Sequence, residues 1–215
     1  MGVQPTTDMA DAGATHDELI ARIAEGDRDA FALLYRQCRP DVYRFAVHMC
    51  GSAALAEDVI QDVFLAVIGD AGRYRPGRSG VVPWLLGIAR NHVRRSRHRR
   101  PVLPLPAEES DDGRRLAVER DPVADLIGQR REAALARALH ALPARYREAI
   151  VLCDLQELSY EAAAAALGCA IGTVRSRLHR GRASLSRALC GKEQDGCDDG
   201  TTGNVAHRRA LEARR

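Results

Sequence analysis

The chain has 215 residues, 46% hydrophobic but only 4% aromatic, and its 32 lysines and arginines nearly balance 29 acids for a formal net charge of +3. Few aromatics beside many alanines, leucines and arginines argue against a β-sandwich and for packed helices, so an all-α fold is expected, in one domain or two small ones. No stretch approaches the ~20 apolar residues of a membrane span and no basic-then-apolar leader opens the chain, which points to a cytoplasmic protein without membrane insertion. No Ser/His/Asp, paired-carboxylate or phosphate-loop constellation is visible, so no enzyme and no cofactor are expected.

Residues 1–14 read as an N-terminal extension. Thr15 and Glu18 then have capping-box spacing, and Leu19, Ile20 and Ile23 give the helix that follows its apolar face. After Gly26, Phe31, Leu34, Tyr35 and Cys38 recur at helical spacing, and Val42, Phe45, Ala46 and Met49 carry the period past Pro40 until Gly51 stops it. The cleanest helix is 53–68, where Ala56, Val59, Ile60, Val63, Phe64 and Val67 form one buried stripe and Asp58, Gln61 and Asp62 are left on the opposite, acidic face. "GDAGRYRPGRSG", Gly69 to Gly80, is too broken for a helix and too basic to bury, so it predicts a loop. Pro83 suits the first turn of another helix, with Trp84, Leu85, Ile88 and His92 as its apolar stripe and Arg90, Asn91, Arg94 and His98 pointing largely outward.

From Pro101 to about Pro122, prolines and clustered acids predict a linker, bounded here as 101–124 between domains at 15–100 and 125–190. Extended at ~3.1 Å per residue it would reach ~60 Å, or about eighteen base pairs of duplex. Leu135, Ala138, Leu139 and Leu142 predict a helix ending near Pro143, and Tyr146, Ala149, Ile150 and Cys153 another. Ser159 is placed to cap the alanine-rich helix after it, and the glycine- and acid-containing stretch 191–215 reads as a tail.

Charge is unevenly distributed. Arg90, Arg94, Arg95, Arg97, Arg99 and Arg100 form one basic block; Arg175, Arg177, Arg180, Arg182 and Arg187 form a second; Glu108, Glu109, Asp111 and Asp112 lie between them. Two separated basic surfaces suit two contacts with a polyanion, although an arginine run is also an ordinary solvated helix face. The six cysteines, Cys38, Cys50, Cys153, Cys169, Cys190 and Cys197, contain no C-x-x-C pair and read as buried, reduced thiols. In "SYEAAAAALGCAIGTVRSRLHRGR", Ala164 and Gly168 have the order and spacing of a helix-turn-helix, in which two helices meet closely around a turn that tolerates positive φ. Val174 and Leu178 give the second helix its apolar edge, while Arg175, Ser176, His179 and Arg180 project outward. Arginine can read guanine in a major groove or hold phosphate, and spacing alone does not sort the two.

"LPARYREAIVLCDLQELSYEAAAAALGCAIGTVRSRLHRGRASL", Leu142 to Leu185, resembles region 4 of bacterial RNA polymerase sigma factors of the extracytoplasmic-function group, and "DVIQDVF", "RYRPGRSG" and "WLLGIARN" resemble region 2 of the same proteins. The resemblance implies that Asp58, Gln61 and Asp62 dock on the β′ coiled coil of core RNA polymerase. It further implies that Arg73, Arg75, Arg78 and Ser79 of the loop, with Arg90, Asn91 and Arg94, recognise and open the −10 promoter element. Thr173, Arg175, Ser176, Arg177, His179 and Arg180 would read −35 DNA while region 4 packs on the β flap, and an anti-sigma factor is the implied regulatory partner. Three features depart from the family pattern, one being that the loop "GRSGVVPW" lacks the aromatic often found before the tryptophan. Ala163 replaces a larger aliphatic residue, which costs ~2–4 kcal/mol of packing unless something else fills the space; Ala170 replaces a frequent capping serine, worth ~1 kcal/mol. An autonomous helix-turn-helix regulator would account for 142–185 but leaves the acidic face and linker idle. A metal or redox site built on Cys190, Cys197 and His207 falls short of the four close ligands of a structural zinc site.

Overall fold

The computed structural model describes residues 13–77, 79–99 and 122–190. These form eight α-helices, with no strand among the described residues: α1 (His16–Ala24), α2 (Arg28–Cys50), α3 (Ala53–Asp70), α4 (Val81–Arg99), α5 (Pro122–Ala141), α6 (Ala144–Ile150), α7 (Tyr160–Leu167) and α8 (Ile171–Cys190). The predicted extension through residue 12, Arg78, Arg100, residues 101–121 of the linker and the tail with Cys197 and His207 lie outside the described residues.

Local chemistry sets most boundaries. Thr15 and Glu18 close the capping box reciprocally, with the Thr15 N–H donating to Glu18 Oε2 at 2.7 Å and the Glu18 N–H to Thr15 Oγ1 at 3.3 Å. Asp27 accepts from the Ala30 and Asp29 amides and from Arg22 Nε, and the Ala30 bond, followed by that to Arg22, holds its carboxyl below the usual range. The α2 helix runs unbroken through Pro40, so the period on either side of the proline belongs to one element, and it ends at Gly51 in the left-handed region, φ 74°. The predicted loop begins later than expected: α3 continues to Asp70, and a 3-10 turn occupies Ala71–Arg73. Because α4 starts at Val81, Pro83 sits in its first turn, where no helical partner for its nitrogen is required.

α1 to α4 enclose one core. Leu19, Ile20, Leu34, Phe45, Ile60, Leu85 and Leu86 are all at most 2% exposed, each side chain contributing about 1.5–3 kcal/mol of burial. Tyr35 and Phe31 meet Phe64 edge-on at 4.7 and 6.2 Å between ring centroids. The buried face of α4 is rotated from the predicted stripe. Val81, Leu85, Leu86, Ala89 and Val93 are buried, whereas Trp84, Ile88 and His92 are only half-buried. The cause is that α4 packs on α2 and α3 and also on α7, so its apolar surface is wider than one stripe.

A second, smaller core joins Leu139 of α5, Leu142 just after it, Ala149 and Ile150 of α6 and Leu178 of α8. After α6 the helix widens into a single π-helical stretch, Val151–Leu155, then reverses through Glu157, whose φ is 55°. Ser159 Oγ accepts from the Ala162 amide at 3.1 Å and starts α7, which Gly168 ends at φ 58°. The two cores are not insulated from one another. Ala163, Ala164, Ala166 and Leu167 of α7, with Val151, Leu152 and Val174, belong to the same contiguous apolar cluster as the α1–α4 interior. Ala163 itself is fully buried and belongs to this larger cluster.

Candidate functional site

The α7–α8 pair has the geometry of a helix-turn-helix. Val174 and Leu178 are 0 and 2% exposed and anchor α8, which places Arg175, Ser176, His179 and Arg180 together on its solvent face. Thr173 is half-buried, with its carbonyl accepting from Ser176 Oγ at 3.0 Å, and Arg177 is half-buried with its guanidinium 4.0 Å from Cys169 Sγ. The Arg175 guanidinium stands 5.6 Å from the centre of the Tyr160 ring, a cation–π distance that ties it to the start of α7. Arg180 and Arg145 both donate to the Tyr146 hydroxyl, which lowers the phenol's pKa, the Arg145 bond contributing most. Arg182 is held by a two-pronged ion pair to Asp154, at 3.0 and 2.5 Å. Ala170 offers no side-chain cap; its carbonyl accepts from the Thr173 and Val174 amides as the helix begins.

Gly181 lets α8 approach α6. A Cβ there would lie 2.9 Å from Ile150 Cδ1 and 3.3 Å from Tyr146 Cβ. Sequence patterning gave no reason to single this glycine out; its place between two arginines reads as surface.

On the first bundle, Asp58, Gln61 and Asp62 are exposed on α3 as expected. Asp62 shares a 3.1 Å hydrogen bond with His92 Nδ1 on α4, while Asp58 and Gln61 border a groove of about 470 Å³ floored by Phe31, Tyr35 and Phe64 and edged by the exposed Leu65 and Ile68. In the loop, Arg73 pairs with Asp70 at 3.0 Å and Arg75 is exposed, whereas Ser79 is half-buried. Tyr74 meets Trp84 at a tilt, 5.0 Å between ring centroids, and donates to Asp17 Oδ1 at 2.7 Å; desolvation and that carboxylate push its phenol pKa up.

Asn91 and Arg94 are exposed on α4, but Arg90 departs from the outward placement expected of it. Its Nε donates to Glu148 Oε2 of α6 at 3.0 Å, in an ion pair largely removed from solvent. Arg90, Asn91 and Arg94 line a groove of about 530 Å³ between α4 and α7, whose opposite wall runs from Ala165 to Gly168. The sequence reading missed the residues that join the bundles here. Arg147 donates to the carbonyls of Leu139, His140 and Leu142 at the end of α5, and to that of Met49 in the last turn of α2 at 3.0 Å. Gln156 Nε2 donates to the Asp41 carbonyl at 2.8 Å, leaving its buried Oε1 without a partner. Nothing in a helical period marks these polar residues as buried.

Among the described residues, no group of His, Cys, Asp and Glu side chains is placed to hold a metal, and no helix is long and apolar enough to cross a membrane. Of the described cysteines, Cys38 is buried, Cys50, Cys153 and Cys169 are half-buried and Cys190 is exposed.

Residues 34–100 match the family model described as Sigma-70 region 2, and residues 132–185 that described as Sigma-70, region 4. The chain is 38% identical over 165 residues to the ECF RNA polymerase sigma factor SigE of Mycolicibacterium smegmatis, covering 75% of this chain and 63% of that protein. It is 37% identical to the RNA polymerase sigma factor CarQ of Myxococcus xanthus, covering 78% of this chain and 94% of CarQ. In three dimensions it is similar to the sigma factor RpoE of Bartonella quintana, solved in complex with the anti-sigma factor NepR, with a TM-score of 0.54, 29% identity, and coverage of 74% of this chain and 96% of that one. The order of the two matched regions, the helix-turn-helix with its basic outer face and these likenesses lead to one assignment: the chain belongs to the extracytoplasmic-function group of the sigma-70 family of RNA polymerase sigma factors.

Proposed function

We propose that this chain binds core RNA polymerase and directs it to promoters, α8 reading the −35 element as duplex and α4 with the 71–80 loop engaging and opening the −10 element. The observation that carries this reading is the exposed cluster of Arg175, Ser176, His179 and Arg180 on a helix anchored by Val174 and Leu178. Arginines so placed can donate paired hydrogen bonds to guanine, worth ~1–3 kcal/mol of discrimination each, while their neighbours hold phosphate. Arg73, Arg75, Asn91 and Arg94 supply a second exposed polar and cationic surface, on which a separated strand would be held by its backbone. Asp58 and Gln61, beside Leu65 and Ile68, combine acidic and apolar groups suited to a basic coiled coil, and are assigned to the β′ subunit; region 4 is assigned to the β flap.

The polymerase supplies the chemistry, so no cofactor is asked of this chain, and its place of work is the cytoplasm. The complex of RpoE with NepR supports an anti-sigma factor as a partner here as well. Adding the purified chain to core enzyme should produce initiation at discrete promoters, mapped by the 5′ ends of the transcripts. Duplex binding through α8 with no change in initiation would instead make the chain an autonomous regulator.

A further inference from the structure

Two cations from different elements converge on one phenol at the edge of the recognition face. Tyr146 of α6 is half-buried against α8, its Cβ 3.3 Å from where a Cβ at Gly181 would stand, so its ring is fixed beside the helix that carries Arg180. Arg145 Nη2 donates to the Tyr146 hydroxyl at 3.3 Å, and the Arg145 guanidinium also lies 4.8 Å from the centre of that ring. Arg180 donates to the same oxygen.

A phenol has two lone pairs and one proton. With a guanidinium on each lone pair, the proton is left to be offered outward, and the Arg145 bond, followed by that from Arg180, makes the hydroxyl more acidic and a stronger donor. Both arginines are exposed, and among the described residues neither stands in an ion pair with a carboxylate, whereas Asp154 neutralises Arg182 and Glu148 neutralises Arg90. Two like charges brought to one atom repel each other, and an anion between them reverses the sign of that energy.

Place and donor set identify the anion. Arg180 shares the solvent face of α8 with Ser176, one helical turn earlier, so the cluster borders the surface assigned above to −35 duplex. What it offers is donors only, guanidinium forks and one hydroxyl, which matches the oxygens of a phosphate and not the mixed donors and acceptors of a base pair.

We propose that Arg145 and the Tyr146 hydroxyl form a phosphate site for the DNA backbone flanking the −35 element, gripping the strand beside the base pairs that Arg180 faces. The site rests on the promoter-reading role proposed above and adds to it a contact from outside the recognition helix. Tyr146 then serves twice: its proton meets the phosphate, and its oxygen holds one N–H of Arg180 while the other donors of that guanidinium stay free for base edges. A backbone contact sets register and carries no sequence information of its own.

The test is a salt titration of promoter binding by the full chain assembled with core enzyme, on a promoter mapped with the wild-type chain and on the same duplex with its −35 bases substituted. Arg145→Ala should weaken binding several-fold and by the same factor on both duplexes, with a slope of log affinity against log salt about 0.9 shallower than wild type, the loss of one phosphate contact. Arg145→Lys keeps the charge and should recover the slope. Tyr146→Phe keeps the ring and should weaken binding to both duplexes. An Arg145→Ala protein with unchanged affinity and slope overturns the site. Loss on one duplex alone would make Arg145 a reader of bases, and loss of core-enzyme affinity in its place would make the cluster a polymerase contact; either result overturns the proposal. If the wild-type holoenzyme binds no promoter selectively, the sigma-factor role itself fails, whereas failures confined to the variants sink only the phosphate site.

Discussion

At the scale of single residues, the most consequential side chain is one that periodicity treats as surface. Arg147 is 4% exposed and bonds four main-chain carbonyls drawn from the C-terminal ends of α5 and α2. Helix ends leave carbonyls unpaired and carry partial negative charge, so one guanidinium satisfies both terminal groups and both dipoles. Arg147→Ala would strand those oxygens in a dry site, and urea unfolding should show a loss of about 3 kcal/mol or more; a loss below about 1 kcal/mol would contradict the capping role. Cys38 gives a pH prediction. Burial, and secondarily the nearby Asp41, push its thiol from an ordinary 9.0 up to about 12. The unfolded chain therefore sheds this proton first, and the associated stability is complete below pH 9 and lost as pH rises towards 12. Native Cys38 should resist a thiol reagent at pH 8 while Cys190 reacts; rapid labelling of Cys38 without unfolding would refute the burial.

At the scale of elements, the sequence was most legible where a local signal acts alone. The capping box at Thr15, the stop at Gly51, the buried stripe of α3 and the Ser159 cap all lie where spacing placed them, because each depends on neighbours within one or two turns. Legibility failed where a helix has more than one packing partner. The buried face of α4 is wider than its predicted stripe, since α7 covers what Trp84 and Ile88 would otherwise expose. Gly181 was silent for the same reason: its role comes from α6 across the core. Gly181→Val should cost about 1–3 kcal/mol, because Ile150 is 2% exposed and cannot swing away from the new methyls; an unchanged unfolding midpoint would show the core more yielding than that. On the face of α8 opposite its anchors, Arg175→Ala and Arg180→Ala should each reduce −35 discrimination by ~1–3 kcal/mol while leaving core-enzyme affinity nearly unchanged, and parallel loss of both in a binding titration would remove the assignment.

At the scale of the molecule, the candidate DNA residues were legible as two basic blocks, but their relative placement was not, because it rests on long-range contacts. Polar residues such as the buried Glu148 and the half-buried Gln156 look like any solvated side chain in the sequence. Their partners lie 58 and 115 residues away, a distance over which one sequence carries no pairing signal. The arrangement makes a specific demand on salt dependence. Promoter binding by the holoenzyme would engage cations of both regions, each phosphate contact releasing a counterion, so log affinity should fall with log salt at a slope of about −0.9 per contact. Raising salt from about 50 to 200 mM should therefore cost promoter affinity by orders of magnitude, as expected for six or more phosphate contacts. A shallow slope for promoter binding would leave one basic block without a phosphate partner.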